Sequence, residues 1–251
     1  MNEKELPDDY NTEILSQREI WDRKEVLRLI YRDWYKDIVA RMKAPDTGVN
    51  LELGCGCGNF KKYFPNVISS DMFANPWVDM VTSADVLPFA PESIDNIVMI
   101  DVLHHLKYPA GFFSEAQKIL KPKGRLIMIE PYVYYAAFLL YRFLHHEPVD
   151  LGQEPFPENG ERVRETDFAN EALPSIIFEK HFDRFKQKFP GLKLVMKRFF
   201  CFWAYPLSGG FNYFSLIGPR GYRWLNSFER KLENRLGRFL AMRMQLVIEK
   251  Q

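Results

Sequence analysis

Cysteine is scarce in this 251-residue chain, which has only Cys55, Cys57 and Cys201. Two of them stand one residue apart, too close for an easy disulfide, and no further cysteine group could complete a zinc site. A disulfide scaffold and a zinc-built fold are therefore excluded, and thiols kept reduced fit a cytoplasmic location. An excess of one charge sign is also missing: 34 Lys and Arg face 33 Asp and Glu, a net +1. That balance offers nucleic acid no general attraction, so no nucleic-acid partner is expected. The first nine residues are acidic and carry no apolar signal core. The longest apolar run, 132–141, is far short of the roughly 20 residues that span a bilayer. Repeats and low-complexity tracts are absent as well.

What is present is a core-forming composition. Apolar residues make up 47% of the chain, enough to rule out a wholly disordered protein, and the length suits one α/β domain over 1–251. Residues 1–45 read as a helical cover. Ser16 with Glu19 and Asp22 with Glu25 have capping-box spacing, and Val26, Leu29, Ile30, Trp34, Ile38 and Val39 recur at helical intervals. Strands are expected at 49–53, 67–70, 79–83, 94–100 and 125–129. A short helix follows at 59–64, another lies at 112–120, and a turn is expected at 122–124. This alternation predicts a doubly wound parallel sheet. Beyond Glu130 an aromatic helix over 132–144, a polar loop or lid over 150–165, a helix over 175–189, strands at 192–201 and 244–249, and an amphipathic helix over 223–240 complete the chain. That last helix carries Leu225, Phe228, Leu232 and Leu236 on one face.

The densest signal is Leu51-Glu-Leu-Gly-Cys-Gly-Cys-Gly-Asn59. Alternating glycines permit positive φ and bring bare main chain against a ligand. With Asp71 ending the next apolar segment, the pattern is that of an α/β fold holding a nucleoside at the strands' C-terminal edge. A dinucleotide fingerprint would place its third glycine at position 59; Asn59 stands there, and the third glycine is Gly58.

Five ordered motifs carry a family resemblance: 51–59, Asp71, Leu87-Pro88-Phe89, Asp101-Val-Leu-His-His-Leu106 and Leu120-Lys-Pro-Lys-Gly-Arg-Leu126. Over residues 47–131, about a third of the chain, they resemble class I S-adenosylmethionine-dependent methyltransferases, particularly the branch containing the ubiquinone and menaquinone biosynthesis enzymes. The resemblance implies a Rossmann-like, seven-stranded sheet with the last strand antiparallel, the N-terminal helical cover, and a helical insertion after strand 5. It implies S-adenosylmethionine as cofactor, with residues 46–131 as its half of the domain and 132–251 on the acceptor side. Glu52, Gly54, Cys55, Gly56 and Gly58 would meet the methionine moiety, Asp71 the ribose hydroxyls and Met72 the adenine, with Ala84, Asp85 and Asp101 also on the cofactor. Relatives place an acid just before an alanine after the third strand. Here Ser83 precedes Ala84 and the acid moves to Asp85.

Asp101, His104 and His105 follow the fourth strand, where either histidine could serve as a general base for a hydroxyl acceptor. Some quinone methyltransferases bind a divalent metal in this segment through paired acids that are missing here, so no metal is expected. Glu130, Tyr132, His145 and His146 are acceptor-pocket candidates. The aromatic block at 199–207 and 211–214 reads first as core, and alternatively as an apolar acceptor pocket or a lipid-facing patch, and Ser208-Gly209-Gly210 within it as a hinge or a close backbone approach. The expected function is methyl transfer to a small molecule, apolar, quinone-like or lipid-linked, with a peripheral membrane contact. An NAD-linked oxidoreductase and a non-catalytic cofactor-binding subunit are the alternatives.

Overall fold

Alternating side chains on a buried parallel strand must satisfy two hydrophobic layers, and the run 97–100 does so. In the computed structural model, which describes residues 8–134, 137–138, 141, 147–157 and 168–251, β4 (Ile94–Ile100) sits at the centre of a seven-stranded sheet. Its companions are β1 (Asn50–Leu53), β2 (Ile68–Asp71), β3 (Met80–Val81), β5 (Leu120–Pro131), β6 (Leu192–Phe200) and β7 (Arg243–Lys250). The order is β3-β2-β1-β4-β5-β7-β6, with β7 antiparallel to both β5 and β6. This is the seven-stranded arrangement, last strand reversed, that the motifs imply.

Ile97 and Met99 of β4 join Leu51, Leu53, Leu126 and Met128 on one face. That layer is closed by α4 (Pro109–Ile119), by α5 (Leu173–Ser175) with the π-helical turn Ile176–Lys180 that continues it, and by α6 (Phe182–Lys188). Val98, Ile127, Ile129 and Val247 face the other way, against α2 (Glu25–Val39) and α3 (Asn59–Tyr63). Among the described residues no helix is long and apolar enough to cross a membrane.

Several local expectations change. Ser16 and Glu19 lie inside α1 (Asp8–Arg23) and cap nothing, and α2 starts after Lys24 without a side-chain cap. Lys24 instead turns its ammonium onto the carbonyls of Ser208 (3.3 Å), Gly210 (2.6 Å) and Tyr213. The turn expected at 122–124 is absorbed into β5, with Lys123 at φ 65°. The helix expected over 175–189 breaks at His181, because the π turn closes there.

The last helix, α8 (Pro219–Leu240), is rotated away from its expected apolar face. Tyr222, Glu229 and Gly237 point inward, Leu225 and Leu232 are half-buried, and Phe228 and Leu236 are exposed. Glu229 accepts the N–H groups of Phe202, Trp203 and Ala204 at 2.7–3.1 Å. These charge-assisted bonds at the start of α7 (Ala204–Ser208) outweigh the burial of two more apolar side chains. The close approach expected at 208–210 is real: a Cβ on Gly209 would strike the carbonyl oxygens of Tyr213 and Phe214. Most of the helix expected over 132–144 and the second half of the lid expected over 150–165 lie outside the described residues.

Candidate active site

The switch point of a doubly wound sheet leaves a crevice beyond the strands' C-terminal ends. Here it is a cavity of about 820 Å³ bordered by Glu52–Cys57, Asp71–Phe73, Thr82–Asp85 and Ile100–Val102. Gly54, Gly56 and Gly58 all take positive φ, at 69°, 50° and 67°. Their reasons differ. A Cβ on Gly54 would collide with Val102, and one on Gly58 would stand 2.5 Å from Cβ of Trp77, whereas the space before Gly56 is open. Gly56 therefore presents bare backbone to the cavity. Gly58 does not line it; that glycine forms the left-handed N-cap of α3.

Glu52 is buried beside this loop and accepts a 2.9 Å bond from the Ser69 hydroxyl. Burial pushes its carboxyl up to about 8, with the fields of Asp71 and Asp79 adding to the rise and the Ser69 bond opposing it. A carboxyl held this way beside an open cavity suits a cationic ligand group. Asp71 accepts the Gly56 N–H at 3.0 Å and the Phe73 N–H at 3.3 Å, which keeps its carboxyl at the rim. Cys55, Met72, Ala84 and Asp85 also border the cavity, and Ser83 donates its hydroxyl to Asp85.

Asp101 follows β4 in a left-handed conformation, φ 56°, and pairs with the buried guanidinium of Arg243. Arg243 lies over the rings of Tyr205 and Trp34, 5.0 and 5.8 Å from their centroids.

The two adjacent histidines part company. His104 is buried, with Nδ1 3.0 Å from Glu130 and Nε2 3.3 Å from Glu147. Burial alone would lower its pKa; the bonds to the two carboxyl groups outweigh that and hold it well above the usual imidazole value. In return His104 draws the Glu147 carboxyl down to about 2 against its own burial. A ring engaged at both nitrogens has no lone pair for a substrate proton, so His104 is not available as a base. His105 is exposed in the cavity wall, and desolvation by the surrounding wall, helped by the neighbouring His104 charge, lowers its pKa. Its Nδ1 lies 3.3 Å from the Phe168 carbonyl, which can only accept. Nδ1 therefore carries the proton and Nε2 keeps a lone pair.

Glu130 and Tyr132 are not at the cavity wall. Glu130 is fully buried and accepts the backbone N–H groups of Val102 (3.0 Å) and Leu103 (2.8 Å) besides bonding His104. The fully buried Tyr132 donates its hydroxyl to the Arg238 carbonyl at 3.1 Å. Strand ends line the cleft only where no loop folds over them, and the 102–105 turn covers β5. His145 and His146 lie outside the described residues. Two clusters, His104/His105/Glu147 and Asp101/His104/Glu130, bring three metal-capable groups within 4.8 Å of one another. Both depend on His104, whose nitrogens the carboxyl groups already engage.

Arg243 and Glu171 were not legible as cavity residues. Both line it, but Arg243 is held by Asp101, 142 residues away, and Glu171 by the Pro148 carbonyl and the Glu147 carboxyl, with no local motif to mark either. Tyr31, Tyr35, Tyr205 and Phe211 also line the cavity.

Residues 51–128 match the family described as Methyltransferase domain. No curated protein matches the chain. Among solved structures, a methyltransferase from Archaeoglobus fulgidus, described as dependent on S-adenosylmethionine, is 14% identical, covering 89% of this chain and 94% of its own, with a TM-score of 0.54. A chain from the complex of the Haloferax volcanii Trm112 methyltransferase activator with its proposed methyltransferase is 14% identical over 98% of this chain and 97% of its own, TM-score 0.53. The geranyl diphosphate C-methyltransferase of Streptomyces coelicolor, solved with Mg2+, geranyl diphosphate and S-adenosyl-L-homocysteine, is 12% identical over 94% of this chain and 84% of its own, TM-score 0.50. These likenesses establish the fold, residues 51–128 match a methyltransferase domain, and the enzyme is an S-adenosylmethionine-dependent methyltransferase of class I fold.

Proposed function

We propose that the protein, as a single domain over 1–251, methylates a small apolar acceptor, quinone-like or lipid-linked, in the cytoplasm. The carrying observation is the lining of the cavity, which presents four aromatic rings, Tyr31, Tyr35, Tyr205 and Phe211, beside the polar loop and carboxyl groups. The buried, free state of all three cysteines supports a reducing compartment. An acceptor held in a lipid layer would bring the enzyme into peripheral contact with membrane.

In this reading Glu52 and the 54–57 backbone take the methionine moiety, Asp71 the ribose hydroxyls, and Met72, Ala84 and Asp85 the adenine side. When bound, S-adenosylmethionine supplies an electrophilic methyl on a sulfonium. The chain's own contribution is orientation first. Aromatic walls exclude water from the acceptor end. The Asp101–Arg243 pair borders that end and is locked by the two flanking rings. His105 Nε2 accepts the proton that a hydroxyl acceptor loses, and its exposure lets that proton pass to solvent.

The test combines calorimetry with turnover. S-adenosylhomocysteine should bind with measurable heat, and an acceptor panel of prenylated phenols, fatty amines and polar controls should favour the apolar members. His105→Ala should lower kcat on a hydroxyl acceptor by roughly 10²–10⁴-fold with cofactor affinity unchanged. Absence of heat at high micromolar ligand, or preference for the polar controls, would overturn the reading.

A further inference from the structure

Trp224 and Phe228 occupy successive turns of α8 and stack in parallel, 5.9 Å apart and 2° from coplanar, yet Trp224 remains 71% exposed. Phe239 extends the same exposed ridge toward the helix C-terminus, because positions 224, 228 and 239 fall within about 60° of one another at 100° per residue. Just before the helix, Phe214 and Leu216 are 76% and 65% exposed. Single exposed apolar residues need no explanation, but a contiguous group of large ones does.

Charge on the helix is sorted with the same asymmetry. Its acids, Glu229 and Glu233, turn inward, one onto the α7 backbone and the other onto Arg198 at 2.7 Å. Arg230 and Arg238 reach Asp37 (3.6 Å) and Glu179 (3.0 Å). Arg220, Arg223, Lys231 and Arg235 are exposed and make no ion pair among the described residues. The outward face is thus aromatic and purely cationic, although the whole chain is nearly neutral.

We propose that the exposed face of α8 together with residues 213–216 docks the enzyme on an anionic phospholipid surface. Trp and Phe rings would enter the headgroup–acyl boundary while the four free cations meet lipid phosphates. Charge complementarity selects this occupant. A second copy of the chain would oppose cation to cation, and a neutral protein partner would leave the four charges without a use. The position of the patch gives the docking a purpose. Phe211 and Asn212, immediately before it, line the cavity, and Lys24 clamps the same loop through three carbonyls. Docking through 213–216 would set the cavity mouth beside the lipid. The proposal builds on the peripheral contact in the reading above but not on its methyl-transfer chemistry.

Co-sedimentation of the full chain with vesicles tests it. Phosphatidylcholine vesicles containing phosphatidylglycerol should pellet the protein, and pure phosphatidylcholine should not. Trp224→Ser with Phe228→Ser should weaken that partitioning roughly tenfold or more, and Lys231→Glu with Arg235→Glu should remove the preference for the anionic lipid. S-adenosylhomocysteine affinity, measured on each variant, should stay at the wild-type value, since none of these residues lines the cavity. Equal partitioning on both vesicle types, or unaltered partitioning in both variants, overturns the docking surface while leaving the cofactor reading intact. So does a dimer that dissociates in the Trp224/Phe228 variant without any change in vesicle binding. Failure to bind S-adenosylhomocysteine would instead strike the cofactor reading, whatever the vesicles show.

Discussion

At Glu52 the protein holds a carboxyl that burial keeps mostly protonated at neutral pH, its value raised to about 8. The sign of the linkage follows. A raised native value means the folded state binds the proton more tightly than the unfolded one. This group's contribution to stability is full below its ordinary 4.5 and is lost as pH climbs through about 8. A ligand ammonium reverses the preference and draws the proton off. At pH 7 binding of S-adenosylhomocysteine should therefore release close to one proton, visible as a dependence of the heat on buffer ionisation enthalpy, and the ligand's gain in Tm should be larger at pH 8 than at pH 6. Glu52→Gln should abolish the proton release and weaken binding by about 1.5–3 kcal/mol, the worth of a charge-assisted hydrogen bond. Its place in the loop motif made Glu52 legible, since a residue two ahead of the first glycine is set by strand geometry alone. The opposite fates of His104 and His105 were not. Adjacent residues differ only in direction, and direction depends on Glu130, Glu147 and Phe168, none of them near in sequence.

Elements show the same division. The core strands could be read from their apolar runs because burial on both faces leaves no other pattern. The orientation of α8 could not. Periodicity marks an apolar stripe, but Glu229 and its three backbone donors rotate the helix, and Gly237 lets it close on β6, where a Cβ would lie 2.7 Å from the Phe199 carbonyl oxygen. This contact makes a sign-changing prediction. In an exposed helix, Gly→Ala stabilises by about 0.5–1 kcal/mol. Gly237→Ala should instead destabilise by roughly 1–3 kcal/mol through overpacking, read as a lower midpoint in urea with unchanged m.

Across the whole molecule the N-terminal helices act as a roof on the cofactor half. Arg18 of α1 donates to the Cys57 carbonyl at 3.2 Å and to the Asn59 side chain at 3.4 Å, with its guanidinium 5.7 Å from the Trp77 ring. Glu13, Ile14 and Gln17 of the same helix reach the cavity. Closing the roof and binding a ligand should thus be coupled. S-adenosylhomocysteine should increase hydrogen-exchange protection of α1, and Arg18→Ala should both reduce that protection and weaken the ligand by roughly three- to tenfold, the value of about one hydrogen bond. The chain's linear order was sufficient for the sheet, the glycine loop and the cofactor class, because these depend on strand periodicity, positive φ and spacings within a few residues. Which histidine keeps a lone pair, why Glu130 lies beneath the site, how Arg243 enters it and which face of α8 meets solvent all rest on partners distant in sequence. Those outcomes depend on buried hydrogen bonds and ion pairs that exist only once the layers have packed.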